Sequence, residues 1–266
     1  MKLFKETAGL PEDDPITWLE VHKRSLGQKR YFLRATLLLT VPILIVACVM
    51  IVQYYHRGAW VWRPYQNIAL ASLMFGVWGL CALAIVVSGV HSIAGERSSK
   101  TLDVLLTTPM RGVDIVRQKY DGLKRPRLLF WIPLLSVYLL QMWTASISPR
   151  WSFVDGFLVI GFAALTIAVY MRFLSWYGLW MGLKIQSRTR AMVTAIVALL
   201  AWCVTPLFGP LKYLTVLSFG PDAFGAVVIL GLVNTVFHYF VGTWCARPCR
   251  VHADQLLGRP YRRPLK

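Results

Sequence analysis

Six apolar runs, separated by short polar segments rich in Lys and Arg, dominate the pattern along the chain. They cover 35–55, 68–90, 128–143, 153–183, 191–207 and 224–244. At 1.5 Å of rise per residue, ~20 helical residues cross the ~30 Å hydrocarbon layer of a bilayer, so each run predicts a transmembrane helix. The third run is short and carries Pro133, and the fourth is longer than a bilayer needs. Between the fifth and sixth runs, residues 206–221 are apolar but broken by Pro206, Gly209, Pro210, Gly220 and Pro221. That density of Pro and Gly predicts a re-entrant or interfacial element on the outer side rather than a span.

The polar segments fix orientation. Of the 29 Lys and Arg, 24 lie before the first run, between the second and third, between the fourth and fifth, and after the sixth. Only Arg57, Arg63, Arg150 and Lys212 lie on the opposite side, and Arg172 lies within the fourth run. Positive charge concentrates in cytoplasmic segments, so both termini are expected in the cytoplasm of a multi-pass protein of the plasma (inner) membrane. Tyr54, Tyr55, Trp60, Trp62 and Tyr65 cluster beside the first and second runs, and Trp131, Trp143 and Trp151 flank the third and fourth. Trp and Tyr favour the headgroup level, which agrees with these boundaries.

Composition sharpens this picture. The chain is 56% hydrophobic and only 15% charged, with a mean hydropathy of +0.53. A soluble domain has about a quarter charged residues. The net charge of +17 sits between apolar runs and not on the patch of a soluble reader fold, so nucleic acid is not an expected partner. The fold class predicted is all-α, with six transmembrane helices in one membrane domain spanning 1–266.

Two inner segments carry further pattern. In 1–34, Asp14 and Pro15 read as a helix start, with Asp14 as N-cap. Ile16, Trp18, Leu19, Val21 and Leu26, followed by Lys23, Arg24, Lys29 and Arg30, form an amphipathic helix suited to an anionic membrane surface or to packing on the protein itself. In 91–127, Leu102, Leu105 and Leu106 fall at i, i+3 and i+4 and make the ridge of a short helix. Pro109 ends that helix or begins the next, with Thr108 as N-cap, and Val113, Val116, Tyr120 and Leu123 mark a second. Such a pair either presses an apolar ridge into a groove on a soluble partner or lies on the membrane.

The run Glu96-Arg97, Thr101-Leu102-Asp103, Leu105-Leu106-Thr107-Thr108-Pro109, then Ile115 and Lys119, resembles the cytoplasmic signature of ABC transporter permeases of the type-2 export class. It follows the second of six spans, where that family carries it. The stretch Asp14-Pro15-Ile16-Thr17-Trp18-Leu19-Glu20 is similar to the family's connecting helix. Lys100 stands where a Gly is usual and Asp103 where Glu is commoner. The resemblance implies coupling helices that dock a separate ATP-binding ABC subunit, with Leu102, Leu105, Leu106 and Pro109 as the docking ridge and Glu96 and Thr101 bracing it. It also implies a dimer with a second permease copy or paralogue, forming an exporter's pathway. A secondary carrier and a non-transporting membrane scaffold or assembly factor are the alternatives.

Residues that suggest other chemistry are few. Residues 95–101 lack the Gly before Lys100 and the spacing of a phosphate-binding loop, so ATP hydrolysis is expected on a partner and no cofactor is expected here. Ser88 and His238 lack the pattern of an intramembrane hydrolase and read as a helix-bonded hydroxyl and a packed imidazole. Cys245, Cys249 and His252 have metal-compatible spacing but no fourth ligand nearby, and no metal site is expected. Cys48, Cys81 and Cys203 lie within apolar runs, as packing residues do. Arg172 is either a functional intramembrane cation or a snorkelling one. Gly178 and Gly182 form a small-xxx-small pair for close helix packing, read as a candidate subunit interface. No coupling carboxylate lies at mid-membrane, since Asp155 is near the outer end.

Overall fold

A computed structural model of the chain describes residues 29–57, 59–98, 102, 106, 110–146, 153–204 and 224–258. All regular structure among them is helical: α1 (Lys29–Arg57), α2 (Ala59–Ser98), α3 (Gly112–Gly122), α4 (Lys124–Ser146), α5 (Phe153–Lys184), α6 (Arg188–Val204), α7 (Phe224–Val251) and the single turn α8 (Ala253–Leu256). Each apolar run falls in its own helix, as far as its residues are described. Two stretches, Ser72–Ser98 and Ile160–Lys184, are long and apolar enough to cross a membrane, and Thr40–Val52 is a shorter apolar helix. The amphipathic start at Asp14, the element at 206–221 and the tail from 259 lie outside the described residues, as do the side chains of Tyr54, Tyr55, Trp60, Trp62, Tyr65 and Trp151.

Several helices overshoot their runs at the carboxy-terminal end. α2 continues eight residues beyond Val90, and α7 continues seven beyond Trp244, so the segments expected as inner loop and basic tail begin as helix. Pro42 and Pro133 lie inside α1 and α4 without ending them. In α4 the Ser136 hydroxyl donates to the Pro133 carbonyl at 2.8 Å.

Pairs of touching residues give the helix directions. α5 and α7 run parallel: Phe162 meets Gly231, Thr166 meets Thr235 at 3.2 Å between hydroxyl oxygens, and Phe173 meets Gly242. α2 and α5 also run parallel, since Trp78 packs edge-on to Tyr170 while Val86 and Val90 meet Gly178 and Gly182. α6 turns back against α5, with the Tyr177 hydroxyl donating to the Ala195 carbonyl and Trp202 beside Phe173. The carboxy-terminal ends of α2, α5 and α7 therefore gather at one end of the bundle, where α3, α8 and the turn 185–187 also lie.

The α2–α5 seam is the tightest contact. A Cβ on Gly178 would lie 2.8 Å from the Val86 carbonyl oxygen, and one on Gly182 would lie 3.0 Å from that of Val90. Only hydrogen in place of a side chain lets the two backbones approach this closely. The small-xxx-small pair thus packs within the chain, which corrects its reading as a subunit interface. Two apolar clusters result. One fills the length of the bundle, from Ile43 through Ile85 and Leu134 to Leu174. The other lies at the gathered ends, joining Ile93, Leu102, Val116, Leu123, Trp176, Leu179, Leu183, Cys245, Cys249 and Leu257.

Candidate functional site: a loop helix seated on the helix ends

Helix α3 owes its existence to its surroundings as much as to its sequence. At 11 residues it is shorter than an isolated helix needs for stability in water. Its apolar positions recur at helical spacing, and Ile115, Val116 and Leu123 are buried on one side. Arg111 at its N-cap makes no side-chain cap. The missing acceptor comes from α8, where Asp254 Oδ1 takes the Gly112 amide at 2.9 Å. A carboxylate at a helix N-terminus satisfies one orphan donor. The approach needs glycine, since a Cβ on Gly112 would stand 2.5 Å from that oxygen.

A salt bridge fastens the same helix to α2. The Lys119 ammonium, 1% exposed, pairs with Glu96 on the last turns of α2. The next residue of α2 makes a second clamp at the same end: Arg97 donates to the Ile185 carbonyl at 3.4 Å and to the Leu256 carbonyl at 3.3 Å. Arg97 thereby ties α2 to the α5–α6 turn and to α8. Burial lowers its pKa from the ordinary guanidinium value.

A four-tier stack completes the seat. Tyr120 of α3 lies flat on Trp176 of α5, with ring centroids 4.3 Å apart and planes at 15°. Arg127 of α4 covers the other face of Tyr120 at 4.3 Å and donates to its hydroxyl at 2.7 Å. Arg250 of α7 lies 5.0 Å from the Trp176 ring. Cations on aromatic faces contribute about 0.5–2 kcal/mol each, more as they lose water. The stack links α3, α4, α5 and α7 through side chains that resist shear. The Trp176 Nε1 is buried with no hydrogen-bond partner among the described residues.

The opposite side of α3 is open. Arg111, Val113, Asp114 and Arg117 are exposed, and Met110 is half-buried. These residues form the exposed face of α3. Leu102 is helical but only 3% exposed, packed within the lower apolar cluster, and Leu106 rests partly against the same cluster. Of the predicted ridge, Leu102 is therefore buried and Leu106 half-buried among the described residues. Thr101, Leu105 and Pro109 lie outside the described residues. Glu96 pairs with Lys119 of α3.

Sequence reasoning missed Asp254, Tyr120 with Trp176, and Arg127 as parts of this seat. Asp254 is 142 positions from the amide it caps, so no local pattern announces it. Trp176, within an apolar run, carries no signal that separates it from a core aromatic.

The remaining singled-out residues fall elsewhere. Cys245 and Cys249 are buried in the lower cluster, while His252 is exposed. Burial pushes the two thiols up to about 11 and about 12, disfavouring the thiolates a metal requires. His238 is 1% exposed, with Nδ1 at 2.7 Å from the Asn234 carbonyl and Nε2 accepting from Trp202 at 3.1 Å. Tyr170, Phe173, Trp202 and Phe237 pack round it. Both nitrogens are engaged by these partners, as suits a packed imidazole. Arg172 points out of the bundle, 6.0 Å from the Tyr239 ring. No group of three or more His, Cys, Asp and Glu among the described residues has the geometry to hold a metal ion.

Compared with known proteins, the chain matches no family model and no curated sequence.

Proposed function

We propose that this chain is the six-span permease subunit of an ATP-driven exporter of the ABC type-2 class, with both termini in the cytoplasm. The observation that carries the reading is α3: a short helix fixed to the ends of α2, α4, α5, α7 and α8, with a separate face left open. A helix that must pass force between a soluble ATPase and membrane spans needs both properties, rigid attachment on one side and a free docking face on the other. The signature residues Glu96, Arg97, Leu102, Ile115 and Lys119 all serve the attachment. Docking then falls to Arg111, Val113, Asp114, Arg117 and the adjoining 98–109 segment.

The helix directions support the topology. In a six-span chain, α2, α5 and α7 run toward the same side and α6 runs back, which is the arrangement of the contacts above. Their shared end carries Arg97, Lys119, Arg127, Lys184, Arg188, Arg190, Arg247 and Arg250, as the positive-inside rule requires of the cytoplasmic side. The 32 residues of α5 make about 48 Å of helix at 1.5 Å per residue, against a hydrocarbon layer of ~30 Å. The remaining turns of α5 emerge into the region that α3 and α8 cover, which explains an apolar run longer than a bilayer needs.

ATP hydrolysis belongs to the partner in this reading, and two permease copies or a paralogous pair form the pathway. The test is purification from native membranes in mild detergent, wild type beside Val113→Asp and Arg117→Glu. The expected result is an ATPase subunit that co-purifies with wild type and is lost from the folded variants. If no ATPase accompanies the intact protein, the exporter reading fails and a carrier or scaffold takes its place.

A further inference from the structure

We propose that His238 is a proton-operated latch between α6 and α7: neutral, it holds Trp202 against α7, and on binding a proton it lets that end of α6 go. The inference rests on the helix contacts and not on whether an ATPase docks on α3.

The bonds fix the state of the ring. An indole nitrogen can only donate, so the 3.1 Å contact from Trp202 Nε1 to His238 Nε2 requires a lone pair on Nε2. The single ring proton then sits on Nδ1, which donates to the Asn234 carbonyl at 2.7 Å. The imidazole is therefore neutral and in one tautomer. A second proton goes to Nε2 and leaves two N–H groups facing each other where a hydrogen bond was. Trp202 also lies flat on Phe237, with ring centroids 5.6 Å apart and planes at 15°. One indole thus carries both the packing and the bond from α6 to α7.

The surroundings offer an imidazolium no counter-charge. His238 is buried, in ring contact with Tyr170 and Phe173 of α5 at 4.7 and 5.3 Å, Trp202 of α6 at 5.7 Å and Phe237 of α7 at 5.9 Å. Of these only Tyr170 is titratable, and a phenol carries no charge in the acid range. Cys203, beside Trp202, is a buried thiol, and Arg172, two residues along α5 from Tyr170, points out of the bundle. The six long helices hold only two carboxylates. Glu96 is paired with Lys119, and Asp155, fifteen residues before Tyr170, lies about 22 Å away along α5. Burying an uncompensated charge is costly, so the protonated ring persists only where the seam opens. One acceptor stands ready there. Asn234 Oδ1 is buried with no hydrogen-bond partner among the described residues, on the same face of α7 one turn before His238. A helical side chain leans toward its own N-terminus, so His238 leans over that turn. Asn234 Oδ1 takes one N–H of the charged ring once it swings off Trp202, and the other meets the water that enters.

The experiment reads amide hydrogen exchange of the purified full chain in mild detergent at about pH 7.5 and about pH 5, on either side of an ordinary imidazole. Each rate is divided by that of His238→Gln at the same pH, which cancels the intrinsic pH dependence of exchange. Gln still offers Trp202 an acceptor but binds no proton. Over 197–204 the expected ratio is near unity at the higher pH and about fivefold at the lower, the equivalent of one net hydrogen bond, with 163–176 of α5 unchanged. The same ratio at both pH values overturns the latch. So does an acid-induced rise spread evenly over α2, α5 and α6, which marks general loosening. Should the Gln variant not be recovered folded, Trp202→Phe takes its place. Lacking the donor, it is expected to exchange faster than wild type over 197–204 at the higher pH and to match it at the lower. A Trp202→Phe protein that follows the wild-type pH dependence throughout overturns the proposal.

Discussion

Replacing Glu96 by Gln removes the counter-charge of an ammonium that has almost no contact with solvent. The Lys119 side chain is 1% exposed and is held between α2 and α3, whereas Glu96 keeps 18% of its surface. Removing one partner of a buried pair costs about 3–5 kcal/mol, because the remaining charge stays desolvated and uncompensated. At roughly 2–4 °C per kcal/mol for a large domain, Glu96→Gln is expected to melt about 6–20 °C lower. The reverse change, Lys119→Met, is close in volume and leaves a carboxylate with some access to water, so its cost is discounted and the expected fall is smaller. Changing both residues leaves no orphan charge, and the double variant is expected to recover most of the loss. Melting all four proteins in one detergent, by the temperature at which each leaves its size-exclusion peak, gives the cycle directly. Additive effects, or a Glu96→Gln protein as stable as wild type, would refute the claim that this pair holds α3 in its seat.

Three further outcomes test other parts of the structure. Gly178→Val drives a side chain into backbone at the α2–α5 seam and is expected to cost about 3 kcal/mol, the upper end for overpacking; Gly161→Ala, with nothing within 4 Å, is expected to be neutral or up to about 1 kcal/mol stabilising, and equal folded yields would contradict the seam. Asp254→Ala removes the cap on α3 at a cost of about 1 kcal/mol, read as faster amide hydrogen exchange over 112–116 with unchanged exchange in α2. The thiols of Cys245 and Cys249 rise from 9.0 to about 11 and about 12, so the folded chain holds those protons longer than the unfolded one. Their contribution is complete below pH about 9 and is lost as pH rises through the folded values; a Cys245→Ala/Cys249→Ala variant is expected to lose less stability than wild type between those limits.

The long helices were legible because each of the six apolar runs is long enough to be a helix, yet their lower ends were not. Bilayer length is a rule about lipid, and the last turns of α2, α5 and α7 are apolar because α3 and α8 cover them. Val90 and Trp244 end the lipid-like stretches without ending the helices. The spacing of Leu102 and Leu106 predicts one helical stripe, but periodicity names a side without naming what covers it. It is the bundle's own Ile93, Val116 and Trp176 cluster that takes Leu102. The seat of α3 was half visible: Glu96 and Lys119 were in view as a motif, whereas their pairing and the Asp254 cap join segments that only the folded chain brings together.

The parallel run of α2, α5 and α7 has an electrostatic consequence. Each helix carries the equivalent of roughly half a negative charge at its carboxy-terminal end, so three like poles of aligned dipoles converge on one small region. Arg97, drawing on the carbonyls of Ile185 and Leu256, together with Lys184 and Arg250 in the last turns of α5 and α7, neutralises that convergence. Part of the basic excess at this end of the bundle is therefore structural glue for the poles. Removing Arg97 loosens the bundle's end while leaving most of its cationic excess in place.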